Sequence, residues 1–223
     1  AEAIPRASEP SKELAAKVTE VLRVLNETAI AKEEDWGHMD AIAGDGDHGQ
    51  GMTYGSTGAY KAAVAALGEG AGARTLLVLA GDAWSETAGG TSGALWGSAL
   101  TAIGGTFSDD DGADAATVVA AVSAGIEAIQ RLGGAQAGDK TMVDALIPFG
   151  EALRERHGAG DSLVDSWAAA AQTATEAAVK TADIVARRGR SRVLGQKSLG
   201  TPDPGATSFA ALMTAVVESG LLG

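Results

Sequence analysis

Glycine punctuates this sequence at intervals that leave room for helices and for little else. The 31 glycines cluster in short loops between alanine-rich segments, where they stop helices and take backbone angles that other residues avoid. Alanine supplies 47 of the 223 residues, while large rings are scarce, at 4 Trp, 2 Tyr and 3 Phe. Alanine is the best helix former, so small side chains in this pattern predict closely packed helices. Helical periodicity and capping residues predict segments at Ser11–Glu34, Thr53–Leu67, Ala73–Thr87, Ser92–Ile103, Ala113–Leu132, Thr141–His157, Asp161–Ala186 and Thr207–Leu221. A polar loop, Asp35–Gly51, separates the first two. The run Thr75–Ala80 alone could pass for a strand, and it sits better in a helix. The expectation is one all-α domain over residues 11–223. Residues 1–10, with Pro5 and Pro10, read as a linker or tail.

Charge narrows the function. Lys plus Arg number 17 against 29 Asp plus Glu, a net charge of −12, which argues against nucleic acid or an anionic membrane surface as partner. It does not argue against nucleotides, because a bound metal inverts the local sign. The absence of cysteine removes disulfides, thiolate catalysis, zinc–thiolate sites and iron–sulfur clusters. No apolar run approaches the ~18 residues of a membrane span, and no signal peptide opens the chain. A cytoplasmic protein is expected.

The chemistry concentrates in Asp40-Ala-Ile-Ala-Gly-Asp45-Gly46-Asp47-His48-Gly49-Gln50-Gly51. Gly44, Gly46 and Gly49 match G-x-G-x-x-G, but no strand precedes them, and Asp45 and Asp47 would repel a bare pyrophosphate. An EF-hand counted from Asp45 would need an acid where Ser56 stands. Hard carboxylate oxygens suit Mg²⁺, which commonly bridges carboxylates to substrate phosphates. Two Mg²⁺ ions would offset Asp40, Asp45 and Asp47, and the glycines would let backbone N–H groups approach the phosphates. The ordinary alternative is an Asp-Gly turn with solvated carboxylates. His48, among these acids, is expected to favour its charged form.

Other loops add to this. Gly89-Gly90-Thr91-Ser92-Gly93 opens a helix and offers hydroxyl and N–H donors to a phosphate, or else a plain N-cap. Gly138-Asp139-Lys140-Thr141 is not a phosphate-binding P-loop, because Asp139 stands where glycine is required. Arg187-Arg188-Gly189-Arg190 adds cations, or simply ends a helix with solvated charge. Asp203-Pro204-Gly205 caps the last helix.

Together GDGDHG with Asp40 five residues ahead of Asp45, GGTSG, GDKTM and the closing DPGATS resemble the L subunit of dihydroxyacetone kinases, which also forms the nucleotide-binding domain of fused, ATP-dependent members. The motifs run in the same order over nearly the whole chain after residue ten. The resemblance implies a barrel of eight antiparallel helices with the nucleotide site at one rim. It implies that Asp40, Asp45 and Asp47 ligate two Mg²⁺ ions and that His48, Gly49, Gln50 and Gly51 line the phosphates of ATP or ADP. Thr91 and Ser92 would contact phosphate, and Gly133 and Met142 would flank the adenine, with Thr141 nearby. Arg190 and the Asp203-Pro204-Gly205 turn would close the pocket. One departure stands out: Gly51 occupies a position that is often Asn in stand-alone L subunits, so only a backbone contact is expected there. Gly46 is more like the fused branch.

The resemblance further implies that the sugar sits on a separate K subunit or domain. Two alternatives accompany this reading. In one, ADP stays bound as a coenzyme and is rephosphorylated by an M subunit of the phosphotransferase system. In the other, an ADP-loaded regulatory module docks on another protein.

Overall fold

The computed structural model describes residues 3–188 and 191–223. Among these residues it is entirely helical, with nine α-helices, two 3-10 turns and no strand. The helices are α1 (Glu9–Ala41), α2 (His48–Gly68), α3 (Ala73–Ala88), α4 (Gly90–Thr106), α5 (Ala115–Gly133), α6 (Val143–Gly158), α7 (Leu163–Lys180), the short α8 (Ser191–Leu194) and α9 (Pro204–Glu218). The all-α expectation holds, but several boundaries move. The first helix runs on to Ala41, so the expected loop at Asp35–Gly51 shrinks to residues 42–47, and α2 begins at His48 rather than Thr53. Helix-weakening Gly37 and Gly51 are tolerated because packing outweighs local propensity. Helix α7 stops at Lys180 instead of Ala186, passing into a 3-10 turn at Thr181–Asp183.

The chain forms two compact units. One comprises the residues up to Asn26 with Thr53–Gly133, the other Glu27–Met52 with Gly134–Gly223. The boundaries fall inside α1 and α2 rather than in a linker.

In the first unit small residues decide the packing. Where α3 meets α4, a Cβ at Gly97 would stand 2.6 Å from the Gly81 carbonyl and 1.8 Å from Ser85 Oγ. Next to this contact the Trp84 and Trp96 rings stack at 5.0 Å. Buried Ser11 donates to the Ser108 carbonyl at 2.8 Å and accepts from Ala73 N–H at 2.9 Å. Asp109 binds the Thr75 N–H and hydroxyl at the start of α3. Asn26 donates to Ser56 and Thr57, joining α1 to α2 by a buried polar pairing. Helix α5 is long and apolar enough to cross a membrane by length and composition alone, although Glu127 and Arg131 interrupt its apolar run. It buries Val119, Ile126 and Ile129 in this unit.

The second unit has an aromatic centre. Phe149 of α6 meets Trp167 of α7 edge-on at 5.3 Å and Phe209 of α9 at 5.4 Å. The Trp167 indole N–H donates to the Met213 carbonyl at 2.9 Å, so its polar atom is satisfied in the core. Ser162 caps α7 by accepting from Asp165 N–H, and Asp203 caps α9 by accepting from Ala206 N–H with Pro204 behind it. The Asp203 cap was expected, although α9 begins at Pro204 rather than Thr207 and α7 at Leu163 rather than Asp161.

The α3–α4 contact generates a test. Gly97→Ala should cost about 1–3 kcal/mol through overpacking, seen as a melting temperature lower by several degrees. Gly105→Ala, on the same helix with nothing within 4 Å of an added Cβ, should leave it unchanged or slightly higher.

Candidate functional site

The site in the second unit begins with a close crossing. Gly49 is buried, and a Cβ there would stand 1.9 Å from the Glu33 carbonyl, so the first turn of α2 can lie against α1 only with glycine at this position. The connection between the helices is correspondingly tight. Gly46 takes φ +79, a left-handed angle. Gly44 lies so close to Asp40 that a Cβ would meet its Oδ1 at 2.4 Å.

This geometry gathers the acids. Asp40, in the last turn of α1, accepts the His48 backbone N–H on Oδ2 at 3.1 Å. Asp47 stands just ahead of α2, its carbonyl accepting from Gly51 N–H at 2.9 Å. One carboxylate oxygen from each of Asp40, Asp45 and Asp47 lies within 4.8 Å of the others, with Asp40 half-buried and the other two exposed. Three hard oxygens this close, two of them open to solvent, fit an oxygen-seeking divalent cation such as Mg²⁺ that keeps water or phosphate among its ligands. The donor set contains no imidazole or thiolate that would favour zinc or copper.

His48 departs from expectation. Its Nε2 lies 2.8 Å from Ser208 Oγ and its ring stands 6.3 Å from that of Trp36. Burial lowers its pKa below the ordinary value, outweighing the raising effect of Asp40. The direction is opposite to the one that its acidic neighbours alone led us to expect.

Asp40 also lines a narrow cleft with Lys140, Ser198, Asp203 and Pro204. Thr141 N–H donates to Asp144 Oδ2 at 2.9 Å, and Gly138 N–H donates to Oδ1 at 2.6 Å, so Asp144 organises the loop ahead of α6. Met142 is buried beside Gly205, whose added Cβ would touch it at 3.3 Å. The structure thus brings Asp40, Asp45, Asp47, His48, Gly49, Gln50 and Gly51 together where α1 gives way to α2. It sets Thr141 and Met142 beside the Asp203-Pro204-Gly205 turn.

Thr91 and Ser92 lie exposed in the first turn of α4, and Gly133 ends α5, all in the first unit. Neither hydroxyl acts as an N-cap. Gly89 takes that place at φ 63, Gly90 follows at φ 65, and no side chain caps the helix. Arg190 lies outside the described residues. Its neighbour Arg188 pairs with Asp139 at 2.9 Å, on a stretch past the end of α7 rather than at a helix terminus.

Sequence reasoning missed Ser208 and Lys140. Lys140 was dismissed with the P-loop, yet it is only 5% exposed and is the one non-glycine residue at positive φ among the described residues, at φ 60.

Asp203 is pushed up to about 7, chiefly by burial, with Asp144 raising it further and the Ala206 N–H and Lys140 opposing. The folded chain therefore holds a proton that the unfolded chain releases near the ordinary carboxyl value, and stability falls as pH rises from about 4 through about 7. In thermal melts over that range, wild type should lose on the order of a few kcal/mol relative to Asp203→Asn; parallel profiles would refute the assignment.

Residues 42–218 match the family model of the DAK2 domain. The chain is 58% identical over 217 residues to an L-erythrulose 1-kinase of Mycolicibacterium smegmatis, covering 96% of this chain and 37% of that protein. It is 34% identical over 181 residues to the PEP-dependent dihydroxyacetone kinase 1, ADP-binding subunit DhaL, of Listeria innocua, covering 81% of this chain and 84% of that one. The dihydroxyacetone kinase of C. freundii in complex with AMP-PNP and Mg²⁺ superposes with a TM-score of 0.70 at 28% identity, over 98% of this chain and 35% of that one. The chain spans a little over a third of the length of the erythrulose kinases it matches.

Proposed function

Because the chain belongs to the DAK2-domain family, we propose that it is the nucleotide- and Mg²⁺-binding part of a cytoplasmic ATP-dependent kinase. Its acceptor would be dihydroxyacetone or a related ketose such as erythrulose, held on a K subunit or domain outside this chain. The observation that carries the reading is the convergence of Asp40, Asp45 and Asp47 at the start of α2. Two further findings support it: the erythrulose kinases among its relatives, and the extra length of those relatives, which leaves room for a sugar-holding part.

The residues divide the work. Asp40, Asp45 and Asp47 hold the metal. A Mg²⁺ ion held there would supply positive charge that offsets the carboxylates and the phosphates. His48, Gly49, Gln50 and Gly51 offer the phosphates the N-terminus of α2, where N–H groups and the helix dipole favour anions. By resemblance, Met142 flanks the adenine, with Thr141 nearby. Arg190 and the Asp203-Pro204-Gly205 turn complete the pocket. Phosphoryl transfer asks mainly for positioning and charge stabilisation, and this set supplies both for the donor.

Asp45→Asn removes one charge and one strong ligand at nearly constant size. Calorimetric titration with ATP and Mg²⁺ should show affinity weakened at least about tenfold, equivalent to about 1.4 kcal/mol, with an unchanged melting temperature. Equal affinity would remove the metal assignment. The same titration addresses the donor. Ready exchange of ADP for ATP supports direct use of ATP, whereas ADP retained through purification supports the phosphotransferase-system alternative, in which an M subunit recharges it.

No group in this inventory fixes a small sugar or takes its hydroxyl proton, both of which in-line transfer requires. In a coupled assay with ATP, Mg²⁺ and dihydroxyacetone or erythrulose, the purified chain should be inactive alone and active with a K partner. Robust ketose phosphorylation by the chain alone would overturn this division of labour.

A further inference from the structure

Lysine is seldom fully buried unless paired, and a long side chain at positive φ carries a backbone cost that glycine would avoid. Lys140 meets both conditions, at 5% exposure and φ 60. Its ammonium donates to the Ser198 carbonyl. Asp203 and Asp183 favour its charged form, although burial as the larger effect lowers its pKa. Ser198 is itself buried, its Oγ accepting from Ala186 N–H at 3.1 Å and donating to the Gly195 carbonyl at 2.8 Å. One side chain thus joins the loop before α6 to the segment ending at Ser198, beside the turn that starts α9.

That turn leads to the metal loop. Asp203 opens α9, and Ser208, one turn further on, holds the His48 ring at 2.8 Å. The His48 backbone N–H is in turn bonded to Asp40. Lys140, Asp203 and Asp40 line the same cleft.

We propose that Lys140 is a positioning residue for the metal–phosphate site: it locks the loop before α6 and the Ser198 segment against the Asp203 turn, so that α9 keeps Ser208 on His48. The proposal rests on the nucleotide reading above for its functional consequence, but the lock itself does not.

Lys140→Met keeps the apolar stem and removes the ammonium. Well below its melting temperature, it should shift the His48 ring resonances in the NMR spectrum, although Lys140 makes no bond to that ring. A purely structural lysine would lower the melting temperature without moving those resonances. Calorimetry with ATP and Mg²⁺ should show affinity reduced about tenfold or more. Should Lys140→Met fold poorly, Lys140→Met with Asp203→Asn removes the ammonium together with the carboxyl that acts on it electrostatically, so that neither charge is left without the other. Its affinity and His48 resonances are then compared with those of Asp203→Asn alone. Resonances unmoved in the folded variant, or affinity equal to that of its proper reference, would overturn the proposal. If wild type bound no ATP, the nucleotide reading would fall, and the His48 resonances would still judge the lock.

Discussion

The approach of α2 to α1 at Gly49 is the constraint on which the candidate site depends. A single methyl group there would collide with the Glu33 carbonyl. Without that approach Asp40 could not reach the first N–H of α2, and a carboxylate at the end of one helix could not join two at the start of the next. Helix polarity explains the arrangement. Asp47 stands at a helix N-terminus, where negative charge is favoured, while Asp40 stands at a C-terminus, where it is disfavoured. Asp40 offsets that disadvantage by serving as a hydrogen-bond acceptor for the neighbouring helix.

The interior of the second unit combines two kinds of order. Phe149, Trp167 and Phe209 pack as rings at edge-on angles, an arrangement suited to their quadrupoles. Near the cleft the order is polar. Lys140 faces Asp203 and Asp183, and Asp144 takes two backbone N–H groups. A charge taken out of water, as at Lys140, contributes little net stability, because desolvation opposes the attraction of its neighbours. Its value lies in fixing one geometry among several that an apolar interior would permit.

Much of this was legible in the sequence, for identifiable reasons. The helical class followed from alanine and glycine placement, and the Asp203-Pro204-Gly205 turn announced the last helix through its cap chemistry. The metal loop was legible because three aspartates fall close together in sequence as well as in space. The end of α1 was misjudged because Gly37 and the polar residues around it look like a loop, whereas burial of Trp36 holds them helical. The downward shift at His48 was invisible, since burial causes it, and so was the bond of its ring to Ser208, 160 residues away. Lys140 was missed because a motif test asks which residue precedes a lysine, not where its side chain is buried.

The four tryptophans divide evenly, Trp84 and Trp96 in the first unit, Trp36 and Trp167 in the second. The stacked pair sits at 5.0 Å with ring planes only 14° apart, close enough for the two indole transitions to couple. Such coupling leaves an exciton band in circular dichroism that vanishes when the rings separate, whatever happens to backbone helicity. The first unit therefore carries an optical signature of its own, and the loss of that band can be timed against the loss of helical signal. Coincident curves would mark one cooperative transition and staggered curves two, so the polypeptide contains its own gauge of whether it melts as one body.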